Sequence, residues 1–173
     1  MKKYVLTAFL FVLAVSFSLA QKGNISVNLG AEVALPLGNL SNASSFGIGG
    51  TAKGLYGLND ESDITLTTGY IAFPTKEGSE MKIGMIPFMP GYRHKFDGFY
   101  VEPQLGFVSY KTSYSGVGSE IFGGSLSSSA SFFSYALGAG IKSGKWDLSA
   151  RFQGFTSTTF IGARVGYDVF TNF

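Results

Sequence analysis

The chain has 173 residues, of which only 14% are charged, against about 25% in soluble globular domains. It holds no cysteine, which excludes a disulfide scaffold and a thiolate metal site. Lys2 and Lys3 account for the whole excess of 13 basic over 11 acidic side chains, so the rest is neutral and nothing points to nucleic acid.

Those two lysines open a signal-peptide pattern. An almost wholly apolar run from Tyr4 to Phe17 follows, then Ser18-Leu19-Ala20. Cleavage is predicted after Ala20, leaving 21–173 as one domain.

From residue 25 onward, apolar and polar residues alternate with a period of two. The first predicted strand sets Ile25, Val27, Leu29, Ala31, Val33 and Leu35 against Ser26, Asn28 and Glu32. The second sets Phe46, Ile48, Ala52 and Tyr56 against Thr51 and Lys53, and the third Ile64, Leu66 and Tyr70 against Asp63, Thr65 and Thr67. In the fourth, Met81, Ile83 and Met85 oppose Lys82 and Gly84. In the fifth, Phe99, Val101, Leu105 and Phe107 oppose Glu102 and Gln104. The sixth runs through Phe133, Tyr135, Leu137, Ala139 and Ile141 opposite Ser134. The seventh sets Trp146, Leu148, Ala150 and Phe152 against Asp147, Arg151 and Gln153. The eighth sets Ile161, Ala163, Val165, Tyr167 and Val169 against Arg164 and Asp168, and no amphipathic helix is evident between strands.

Connections at 58–61, 93–98 and 143–144 read as short, and those at 36–44, 74–79 and 114–128 as longer. Short turns on one side and long loops on the other fit a membrane barrel with both termini in the periplasm, apart from a short last loop at 156–158. Pro87 and Pro103 fall inside strands, where each removes a ladder donor, so bulges or a shortened fourth strand are expected.

Alternation alone does not say which face is inside. The scarcity of charge and the small polar residues opposite the apolar ones place the apolar face outward, toward lipid. Tyr70, Tyr92, Phe99, Tyr110, Trp146 and Tyr167, near strand ends, then form interfacial girdles. The expected fold is an all-β, eight-stranded antiparallel up-and-down transmembrane β-barrel.

Val165, Tyr167, Val169 and terminal Phe173 look like the C-terminal insertion signal of outer-membrane proteins. With Ile83-Gly84-Met85-Ile86-Pro87, Gly91-Tyr92-Arg93 and Gly98-Phe99-Tyr100-Val101-Glu102, the chain resembles the outer membrane protein β-barrel domain, or porin-family, group. That group is similar in architecture to OmpA and OmpX barrels. The resemblance implies an outer-membrane location, lipid and the barrel assembly and insertion machinery as partners, and little about activity.

The candidate site is a lumen charge network of Glu32, Lys53, Lys82, Glu102, Arg151, Arg164 and Asp168. An eight-stranded barrel is just wide enough for side chains to fill it, so these charges are expected to pair and plug the lumen; the competing reading is a narrow channel for ions or small solutes. His94, the sole histidine, falls in a predicted turn without a serine beside it, so neither catalysis nor a histidine metal site is expected. No cofactor is expected: Gly47-Ile48-Gly49-Gly50 and Gly138-Ala139-Gly140 open no helix and cannot cradle a phosphate. The long loop with Glu120, Ile121 and Phe122 is the candidate surface for an extracellular ligand of unknown identity.

Overall fold

The computed structural model describes residues 23–75, 81–114, 126–156 and 158–172. Strands β1 (Ile25–Gly38), β2 (Gly47–Asn59), β3 (Ser62–Pro74), β4 (Met81–Lys95), β5 (Tyr100–Tyr114), β6 (Leu126–Ser143), β7 (Trp146–Phe155) and β8 (Thr158–Asn172) form one sheet in chain order. Each pairs antiparallel with the next, and β1 pairs with β8 from Ile25↔Asn172 to Gly38↔Thr158, closing the barrel and leaving no free edge. A five-residue helix, α1 (Asn39–Ala43), lies in the connection that the sequence reads as plain loop.

The alternation becomes an inside and an outside. Val33, Leu35, Ile48, Leu105, Phe107, Phe133, Leu137 and Val165 stand on the outer wall, exposed despite their size. The predicted girdle residues Tyr70, Tyr92, Phe99, Trp146 and Tyr167 are exposed as well, with the Trp146 and Tyr167 rings edge-on at 5.1 Å. Tyr110 departs from that set: its ring meets buried Phe155 at 6.2 Å and packs into the core.

Two further expectations fail for physical reasons. Neither Pro87 nor Pro103 brings a bulge or cuts its strand short; β4 and β5 are 15 residues each, and their register is the same at Pro87↔Val108 and at Gly91↔Gln104. The lost donors show as gaps in the ladders beside each proline: the β3–β4 pairing skips Gly69 opposite Pro87, and the β4–β5 pairing skips Tyr92 opposite Pro103. In β4 the apolar set Ile83, Met85 and Met89 points inward, while Phe88 and Tyr92 point outward. In β8 the outward set from Ile161 to Val169 and the inward Arg164 and Asp168 are as expected; a register shift at Val27/Asn28 of β1 leaves Phe170 exposed beside Val169. Phe173, the last residue of the expected insertion signal, lies outside the described residues.

Candidate functional site

The two ends of the lumen differ. Around the loop end, inward side chains are apolar: Ala34, Ile71, Phe73, Ile83, Met85, Met89, Val108, Phe155 and Phe160 form one buried cluster, with Phe73 edge-on to Phe160 at 6.0 Å. Around the end where the termini lie, the inward side chains are charged or hydrogen-bonding.

Glu102 is the centre of the polar half. Its carboxylate meets Lys53 Nζ at 2.9 Å and Arg93 Nη2 at 2.7 Å, and accepts hydrogen bonds from Arg93 Nε (2.8 Å), Thr65 (3.2 Å) and Gln104 (2.6 Å). Arg93 reaches on to Asp147 Oδ2 at 3.0 Å, and Tyr100 donates its phenol proton to Asp147 Oδ1. The Arg93 guanidinium lies 3.6 Å over the Tyr100 ring, so cation, carboxylates and aromatic face make one unit.

A second pair, Arg151 Nη2 to Glu32 at 2.8 Å, borders the apolar half, with the guanidinium 5.8 Å over Phe160. Arg164 has no carboxylate at ion-pair distance among the described residues. It donates to Thr51 Oγ1 at 2.7 Å and lies 3.4 Å from the Asn28 carbonyl. Asn28 in turn donates to Asp168 (2.8 Å), which Lys142 meets at 2.7 Å. Toward the rim, Lys95 pairs with Asp63 at 3.0 Å.

Of the seven residues singled out in the sequence, Glu32, Lys53, Glu102, Arg151, Arg164 and Asp168 are thus inside; Lys53–Glu102 and Glu32–Arg151 meet directly, whereas Arg164 and Asp168 are linked through Asn28. The side chain of Lys82 lies outside the described residues, as do Glu120, Ile121 and Phe122. Sequence reasoning missed Arg93, Asp147 and Tyr100. Asp147 was legible, since it alternates with Trp146 and Leu148. Arg93 was hidden because the run Tyr92-Arg93-His94-Lys95 reads as a turn, while β4 continues to Lys95.

Inside the network a void of about 20 Å³ touches Lys53, Tyr100, Glu102, Arg151 and Arg164, room for about one water molecule. On the terminal side a vestibule of about 380 Å³ opens among Ser26, Asp63, Lys95, Phe99 and Lys142, with Arg93 and Tyr100 on its wall.

His94 lies in β4, not in a turn, and a serine does come near it: Ser62 Oγ is 3.5 Å from Nδ1. That hydroxyl is buried and engages Tyr92 at 2.7 Å, so it is not presented as a nucleophile. Among the described residues no group of three or more metal-ligating side chains assembles.

Neither a comparison with protein-family models nor one with curated protein sequences finds a match. Solved structures do match. Ail, the attachment invasion locus protein of Yersinia pestis, superposes with a TM-score of 0.65 over 86% of this chain and 98% of that one, at 14% identity. The N-terminal β-barrel domain of Pseudomonas aeruginosa OprF gives 0.60 over 85% and 99%, at 13%, and Neisserial surface protein A gives 0.58 over 86% and 99%, at 12%. The chain has the fold of a small, OmpA/OmpX-like outer-membrane β-barrel. At these identities the likeness concerns the fold. A second Ail structure, at 0.63 and 15% identity, holds the heparin analogue sucrose octasulfate.

Proposed function

We propose that the chain is an integral protein of the bacterial outer membrane, exported by residues 1–20 and inserted by the barrel assembly machinery, whose lumen is plugged and whose role is structural or interactive at the surface. The observation that carries this reading is the content of the lumen. Buried Phe73 and Phe160 fill one half and the Glu102 network the other, and the void inside that network has room for about one water. The exposed belt of Leu, Phe and Val side chains would be covered by lipid, with the loop end facing outward and the termini in the periplasm.

The same evidence speaks against a catalytic role, because the Ser–His approach found among the described residues has its hydroxyl occupied by Tyr92. The loop end is the place for an extracellular ligand, and Ail in complex with a heparin analogue supports a barrel of this fold carrying one. Residues 120–122 remain the proposed contact.

Single-channel conductance of refolded residues 21–173 in a planar bilayer tests the plug, with heat-shifted gel migration reporting a folded barrel. Silence is expected. Reproducible conductance steps that change on Glu102→Gln or Arg151→Gln would make the protein a narrow channel.

A further inference from the structure

The connection between β1 and β2 is built differently from a plain loop. Gly38 has φ 62° and ψ −138°, a left-handed backbone that favours glycine and turns the chain sharply off the barrel wall. The short helix α1 follows, closed by Ser44 N–H donating to the Leu40 carbonyl at 2.9 Å and with no side-chain cap at its start. Leu40 is only 4% exposed and belongs to the same buried cluster as Ala34, Phe73 and Phe160. Its side chain is thus inserted into the lumen end from a segment that is not part of the sheet.

The far side of the connection is fastened at Ser44. Ser44 is fully buried; its Oγ lies 2.6 Å from the Pro74 carbonyl at the end of β3 and 2.8 Å from the Phe46 carbonyl, so one proton serves two acceptors. A single antiparallel bridge, Ser44↔Thr75, accompanies it. Proline at 74 brings no N–H of its own to this junction.

We propose that residues 38–44 are a hinged lid over the loop end of the lumen. Gly38 is the hinge, Leu40 the stopper and Ser44 the clasp. The lid opens without the barrel wall moving, and its release uncovers an apolar cup walled by Ala34, Phe73 and Phe160. The inference adds to the plugged-lumen reading and stands apart from it: opening the lid exposes the cup but leaves the charged half below still closed.

The chain contains no cysteine, so a single introduced thiol reports alone. Full-length folded protein carrying Leu40→Cys is labelled with a maleimide, alone and combined with Ser44→Ala or Ser44→Thr, and Met89→Cys, fully buried further down the lumen, is labelled in the same backgrounds. Heat-shifted gel migration selects the folded species. Labelling at 40 is expected to rise at least tenfold with Ser44→Ala and to return toward the starting rate with Ser44→Thr, while position 89 stays protected throughout. Equal rates at 40 with and without the hydroxyl would overturn the clasp. Rapid labelling at 40 in the Ser44 background would overturn the closed lid, and joint exposure of 40 and 89 would show loosening of the whole barrel instead. None of these readings depends on conductance, so lid and plug fail separately.

Discussion

Glu102 accepts from Lys53, Arg93, Thr65 and Gln104 in a site with almost no contact with bulk water. Taking two charges out of water is expensive, and a buried pair is tolerated only where the remaining lone pairs and protons find partners. Among the described residues Lys53, Arg93, Arg151 and Arg164 stand inside this barrel beside Glu32, Glu102, Asp147 and Asp168, with the Asp63–Lys95 pair nearer the rim. Glu102→Gln leaves Lys53 and Arg93 short of their counter-charge and is expected to lower unfolding stability by about 3–5 kcal/mol. Lys95→Ala breaks a pair whose lysine is more than a third exposed and is expected to change it by less than about 1 kcal/mol. Denaturant unfolding of the two variants in the same lipid or detergent checks both, and equal losses would contradict the buried, network character of Glu102. The sequence pointed to Glu102 and Lys53 through alternation, but pairing across strands far apart in the chain depends on barrel closure. That Arg93, rather than a neighbour in sequence, completes the site could not be read from spacing.

Strand β4 shows how an element can be recognised and yet be turned the wrong way. Its stretch Met81 to Met85 alternates apolar with small or charged residues, and the rule that apolar means outward would turn its apolar set toward lipid. Ile83 and Met85 nevertheless point inward, because the loop half of the lumen is an apolar core shared with Ile71, Phe73, Phe155 and Phe160. A period of two gives the spacing of a strand's faces, not which face is in, and a shift by one residue inverts every side chain. On its other side β5 lies close against this strand: a Cβ on Gly106 would press on the Phe88 carbonyl and the Met89 backbone. Gly106→Ala is therefore expected to cost roughly 1–3 kcal/mol of stability, since backbone has no rotamer with which to give way. Alanine at the outward-facing, unobstructed Gly54 is the control and is expected to be near neutral on the same unfolding curve. A wild-type midpoint for Gly106→Ala would show that the two strands are free to separate locally.

The whole barrel is a sheet turned inside out relative to a soluble one: its largest exposed side chains are Phe, Leu, Ile, Val, Tyr and Trp. That surface is stable only against an apolar solvent, and strands of 10 to 18 residues are long enough to cross a bilayer at the usual tilt. Leu137 is 57% exposed, pairs with Pro103 and Phe152, and sits well inside β6. Leu137→Arg is expected to lower stability by about 2–4 kcal/mol when the barrel is folded into lipid vesicles. Unchanged or improved stability, with release into the aqueous fraction, would instead mark a soluble barrel.

Strand number, antiparallel hairpin order and the polarity of most faces follow from residues that lie near one another in the chain, because each strand carries its own alternation and each hairpin its own turn residues. The division of the lumen into an apolar loop half and a charged terminal half does not. It depends on which inward side chains from all eight strands come to the same height, and closure of β1 on β8 sets that height. Likewise Ser44 becomes a clasp only because the last residue of β3 ends beside it. Contacts of that kind join residues whose spacing in sequence carries no signal, so only the closed barrel decides them.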